Sequence, residues 1–132
     1  MIPNSLTIQG YNPTPMDNQL TIDSQMDAAR GICTFKLNGP LLLSNMFEFQ
    51  NRLRAENSRG VIIDLSGVPY IDSAGIGVLV NGMVSCKNHD RTLVLAGVAE
   101  RVMTVLKITK VDTLFHFADS KADAEALAAN AS

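Results

Sequence analysis

The chain contains no tryptophan, two tyrosines, five phenylalanines and two cysteines among 132 residues. Two thiols, Cys33 and Cys86, without paired-cysteine spacing exclude a disulfide framework and read as small buried hydrophobes of a reducing compartment. The only histidines, His89 and His116, are isolated, so no metal-ligand spacing forms and no metal or other cofactor is expected. Positive charge is not in excess: 11 Lys plus Arg face 13 Asp plus Glu, which removes the basic footprint of a nucleic-acid binder. Long apolar runs are missing as well. The charge-free stretch Ala74 to Cys86 is interrupted by Gly75, Gly77, Asn81 and Gly82 and falls short of the ~20 residues of a membrane span. Residues 1–19 lack the basic start and apolar core of a signal peptide, so the expected location is the cytoplasm, without membrane insertion.

What remains is an ordinary core-forming composition, 46% hydrophobic and 18% charged, in a chain with room for one domain. Residues 1–19, with Pro3, Pro13 and Pro15, read as an N-terminal extension or extra strand, and residues 20–132 as the domain. "LTIDSQMD" and "GICTFKLNG" alternate apolar and polar positions and predict a hairpin. Ser44 is the expected N-cap of a first helix with Met46, Phe49 and Leu53 inward. "GVIIDL" and "TLVLAG" are short β-branched or aliphatic runs, the signature of strands covered on both faces. Between them, Ile76, Leu79, Val80 and Met83 mark a second helix ending near "KNHD". A third helix carries Val98, Val102, Val105 and Leu106. "LFHFA" predicts a last strand, and Ser120 to Asp123 a capping box opening a fourth helix with Ala124 and Leu127 inward. The order is β-β-α-β-α-β-α-β-α, an α/β domain with a mixed, mostly parallel sheet of about five strands and about four helices.

The functional question centres on "GVIIDLSGVPYIDSAGIGVLV", residues 60–80. Pro69 cannot donate to a ladder and restricts Val68, so the chain leaves the sheet near Ser66-Gly67 and re-enters order at Ile71. In a mostly parallel sheet, that strand end is where ligands and partners are usually met. Asp72 or Ser73 stands at the N-cap of the next helix. On the residues alone the pair is either a plain cap or a cap that also faces a partner. Three glycines in one helix, each costing ~1 kcal/mol relative to Ala, point to a backbone approaching closely, the protein's own or a partner's. Catalytic readings fail on spacing. Ile71 replaces the first glycine of a nucleophile elbow, Val80 the third glycine of a dinucleotide fingerprint, and Met83-Val84 the Lys and Ser/Thr of a P-loop.

Together, Asp72-Ser73-Ala74-Gly75-Ile76-Gly77 after a strand ending in Asp64-Leu65, then "RTLVLAGVAERVMTVLKITKVDTLFHFADSKADAEAL", resemble the STAS domain. That family comprises anti-sigma factor antagonists and sulfate-transporter tails. The resemblance covers about Leu20 to Leu127 and implies a small mixed sheet with helices packed on it. It also implies a binding module rather than an enzyme. An antagonist of this kind binds an anti-sigma factor serine kinase while unphosphorylated, is phosphorylated by it, and is reset by a serine phosphatase. Carried over by position, the phosphoacceptor is Ser73, its acidic neighbour Asp72, and the supporting acid Asp64. The expected partner surface is Gly67, Pro69, Tyr70, Asp72, Ser73 and Gly75, on a monomer or weak homodimer. The alternative is a STAS subunit of a larger signalling assembly, or a transporter's cytoplasmic partner, not switched at Ser73.

Overall fold

In the computed structural model the described residues are 19–129, together with the backbone of two short segments, β1 (Asn4–Ser5) and β2 (Thr7–Ile8), which pair antiparallel. Apart from those segments and Gln19, the expected extension over residues 1–19 lies outside the described residues. The alternating segments become β3 (Thr21–Asp27) and β4 (Ile32–Asn38), an antiparallel hairpin running from Thr21 opposite Asn38 to Asp27 opposite Ile32. Its turn is closed by Asp27, which accepts from the Arg30 N–H at 3.2 Å, and by Gly31 at φ 68°. The chain continues through α1 (Phe47–Ala55), β5 (Gly60–Gly67), α2 (Ser73–Asn88), β6 (Thr92–Ala96) and α3 (Glu100–Ile108). A 3-10 turn (Asp112–Leu114), β7 (His116–Ala118) and α4 (Lys121–Ala129) complete it.

The five-stranded sheet has the order β3-β4-β5-β6-β7, antiparallel only between β3 and β4. This is the mixed, mostly parallel sheet with four helices that the sequence predicts. Its central strand, β5, is buried on both faces because its side chains alternate between two cores. Val61, Ile63 and Leu65 join Phe49 of α1, Leu79 of α2 and Leu106 of α3 in the larger core. Ile62 faces the other way, with Val94, Ala96 and Ala118, onto Ala124 and Ala128 of α4. Cys33 and Cys86 are both buried and free, and burial, with Glu56 nearby, pushes the Cys33 thiol up to about 12.

Three local expectations are corrected. Ser44 is not the cap of α1. Met46 occupies the N-cap position without a side-chain bond, and Asn45 organises the preceding loop instead, accepting from Leu42 N–H at 3.0 Å and donating to the Pro40 carbonyl at 2.9 Å. The last strand does not begin at Leu114: that residue ends the 3-10 turn and is exposed, because β7 is an edge strand paired only with Val94 to Ala96. Leu127 does not point inward. It is 40% exposed, while Ala124 and Ala128, one turn apart, are buried. The reason is close approach, since a Cβ added to Gly60 would lie 2.9 Å from the Ala128 Cβ, leaving no space for a leucine on that face.

Chemical denaturation should separate these positions. Leu106→Ala removes a fully buried side chain and should cost about 2–5 kcal/mol. Leu127→Ala should stay within about 0.5 kcal/mol of wild type.

Candidate surface around Asp72 and Ser73

The site is built from two loops that leave neighbouring parallel strands and run side by side. After β4 and β5 end, Gly39 N–H donates to the Gly67 carbonyl at 2.9 Å, Leu41 N–H to the Tyr70 carbonyl at 3.2 Å, and Asp72 N–H to the Leu41 carbonyl at 3.2 Å. Leu41 and Ile71 thereby form a parallel bridge beyond the sheet, with both side chains buried.

Asp72 is the N-cap of α2, in extended backbone geometry. One carboxylate oxygen accepts from the Gly75 N–H at 2.9 Å, satisfying an orphan donor of the first helical turn. The other accepts from the Leu43 N–H at 3.0 Å, across to the loop before α1. Burial pushes the Asp72 carboxyl up, but the backbone N–H groups of Leu43, Gly75 and Ala74 outweigh it and hold the group below the ordinary carboxylate range. Ser73 follows as the first residue of α2 and is exposed. Pro69 and Tyr70 are exposed beside it in the chain, and the Arg101 guanidinium of α3 lies 5.5 Å from the Tyr70 ring centroid, within cation–π range. Leu43, whose N–H reaches Asp72, is 56% exposed and extends this surface with apolar area. Leu43 and Arg101 carry no signal in the sequence, because tertiary contacts alone bring them here.

Two of the expected contact residues do not present themselves outward. A Cβ at Gly75 would lie 2.5 Å from the Leu41 carbonyl oxygen and 2.6 Å from Ile71 Cγ1. A Cβ at Gly67 would collide with the Asn38 side chain and come within 2.8 Å of the Leu37 carbonyl oxygen. Both glycines therefore admit the protein's own backbone, and Gly82 admits the Leu53 side chain. Gly77 alone among the three helical glycines looks onto open space.

Asp64 also stands apart from Ser73. Its position in β5 alternates with Ile63 and Leu65, so it lies on the α4 face of the sheet with Ile62. There it accepts from the Ser66 N–H at 2.9 Å and pairs with Lys36 at 3.4 Å. Burial raises this carboxyl, but Ser66 and Lys36 together bring it below the ordinary range. Asp64 thus secures the end of β5.

Neither histidine is hydrogen-bonded to Ser73 among the described residues. His89 is the C-cap of α2, so a 16-residue helix at ~1.5 Å per residue puts it roughly 24 Å away, while His116 opens β7 opposite Val94. Among the described residues no cluster of three His, Cys, Asp or Glu could hold a metal ion, and no helix is long and apolar enough to cross a membrane.

Comparison with known proteins gives a consistent result. The sequence profile described as STAS domain matches residues 23–124. An anti-sigma-B factor antagonist from Staphylococcus epidermidis is 33% identical over 64 residues, 48% of this chain and 59% of that protein, so the alignment spans little more than half of the relative. Among solved structures, an anti-sigma factor antagonist from Mycobacterium paratuberculosis superposes with a TM-score of 0.73 at 15% identity, over 83% of this chain and 93% of that one. A sulfate transporter family protein from Wolinella succinogenes has a TM-score of 0.58 at 27% identity, over 74% and 84%.

The two glycines at the start of α2 should behave oppositely in urea unfolding. Gly75→Ala forces the Leu41 backbone to move and should destabilise by about 2 kcal/mol or more. Gly77→Ala meets nothing and should stabilise by about 0.5–1 kcal/mol. Removing the cap with Asp72→Ala should cost about 1 kcal/mol near neutral pH. Because the folded-state pKa of Asp72 is depressed, its contribution is complete above the unfolded value and disappears as pH falls through the folded value. Urea midpoints of wild type and Asp72→Ala should therefore converge in acid.

Proposed function

As the chain belongs to the STAS domain family, we propose that it is an anti-sigma factor antagonist, a binding module switched by phosphorylation of Ser73. In this reading the unphosphorylated protein sequesters an anti-sigma factor serine kinase in the cytoplasm. The kinase phosphorylates Ser73 and is thereby released, and a serine phosphatase resets the switch. Residues 20–132 act as the working domain, as a monomer or weak homodimer, with residues 1–19 as an extension. The antagonists from Staphylococcus epidermidis and Mycobacterium paratuberculosis support the family role.

The observation that carries the proposal is the placement of Ser73: an exposed residue at the first position of a capped helix, beside exposed Pro69, Tyr70 and Leu43. A phosphate there adds about −1.5 to −2 charge at a helix N-terminus, where anions are favoured, so the fold tolerates it. An interface does not. A doubly charged group beside Asp72, buried against a partner without a cation to meet it, costs several kcal/mol. About 4 kcal/mol is roughly a thousandfold in affinity, enough to exchange partners. In this reading Pro69, Tyr70, Asp72 and Ser73 form the contact surface, while Gly67, Gly75 and Asp64 support it from inside the fold.

The 27% identity to a sulfate transporter family protein supports a second reading, a STAS subunit of a larger assembly or a transporter's cytoplasmic partner that is not switched at Ser73.

Pull-down from native lysate with wild type, Ser73→Ala and Ser73→Glu, read by mass spectrometry, decides between them. The antagonist reading predicts that wild type and Ser73→Ala retain a serine kinase that Ser73→Glu loses, with unfolding free energies equal within about 0.5 kcal/mol. Retention of one partner by all three variants contradicts the switch.

A further inference from the structure

Along the middle and C-terminal part of α2, a groove of about 310 Å³ opens between α1 and α2. Its volume is within the range of small-molecule sites, which combine an apolar lining with a few polar groups. Leu53, Val78 and Cys86 supply the apolar lining, and all three belong to the buried core. Gly82 is also in the wall: a Cβ there would lie 2.7 Å from Leu53 Cδ2, so the glycine lets α1 and α2 approach at the base of the groove.

The charged residues of the lining are Arg54 and Arg91, and no carboxylate accompanies them. Arg91 is anchored rather than loose. Its backbone N–H donates to the Cys86 carbonyl at 2.7 Å, and its guanidinium donates to the Ser58 carbonyl at 3.3 Å and approaches Cys86 Sγ at 3.4 Å. Among the described residues neither guanidinium is ion-paired: the acids that do pair with cations are Asp27, Glu48, Asp64 and Glu125, with Arg30, Arg52 and Lys36. A cation in the last turn of α1 is favoured by the helix dipole, which accounts for a basic residue at Arg54. The dipole does not account for a concave apolar floor between two arginines. A guanidinium carries five donors in a planar fork matched to a carboxylate, and Arg91 has spent only part of its set.

We propose that the α1–α2 groove is a binding site for a small amphiphilic carboxylate, its apolar tail against Leu53, Val78 and Cys86 and its carboxylate at Arg54 and Arg91. The site is separate from the Ser73 surface and does not depend on the function assigned to it.

Octanoate, octanol and acetate titrated into the ¹⁵N-labelled chain, followed by amide shifts, test this. Octanoate should move the amides of Leu53, Val78 and Ser85 and bind at least about tenfold more tightly than octanol or acetate. Arg54→Gln, at an exposed helix position where folding is insensitive, should bring octanoate down to the level of octanol. Asn81→Phe, on the exposed wall of the groove, should block it sterically, and Ser73→Glu should bind as wild type does. No shifts up to about 10 mM, a preference below about tenfold, or undiminished binding in Arg54→Gln or Asn81→Phe overturns the proposal.

Discussion

The two hydrogen bonds accepted by the Asp72 carboxylate, from Gly75 in α2 and from Leu43 in the loop before α1, are the constraint on which this end of the molecule depends. Beyond parallel strands β4 and β5, backbone hydrogen bonds from Gly39, Leu41 and Asp72 already hold two loops side by side. Asp72 joins them with a single side chain, and the Leu41–Ile71 bridge completes the joint with buried apolar contact. Once the loops are fastened this closely, no room remains for a side chain at position 75. The helix then starts at a fixed place, and Ser73 is delivered outward with its hydroxyl exposed.

In the proposed reading, a site fixed in this way responds to charge rather than to shape. Ile76, Leu79 and Met83 anchor α2 along the sheet, so a modification at its first residue has little structure to displace. The helix N-terminus already accommodates the Asp72 carboxylate and receives a second anion favourably in solvent. The same two negative groups become costly when a partner excludes water from them. Tyr70 under the Arg101 guanidinium, together with exposed Leu43, supplies apolar and aromatic area of the kind that anchors interfaces.

Sequence reads this architecture well where one physical effect dominates. "GVIIDL" and "TLVLAG" are legible as covered strands because their apolar side chains face a core on one side or the other, and the start of α2 is legible at Asp72-Ser73 because few residue types can satisfy an N-terminal N–H, although only the structure chooses Asp72 as the cap. Legibility fails where two effects compete or where the cause is tertiary. Glycines in α2 signal close approach without saying what approaches: for Gly75 it is the Leu41 backbone, for Gly82 the Leu53 side chain, and for Gly77 there is nothing. Hydrophobicity favours Leu127 as the inward residue of α4, but the contact with β5 is so close that alanine fits and leucine does not. Ser44 has the right chemistry for a cap, yet Asn45 ties the loop first, and the helix starts after both. Leu43 meets Asp72 across 29 positions of sequence, a distance at which no local pattern speaks.

The central claim, that charge at Ser73 dissolves an interface while leaving the fold intact, is tested most directly by titrating the serine kinase recovered with the unmodified protein against two forms of the chain. One is unmodified and the other carries phosphoserine at position 73. The account predicts an affinity lower by roughly a thousandfold for the phosphorylated form, with an unchanged unfolding midpoint. Equal affinities for the two forms would contradict it and leave the surface as a constitutive contact.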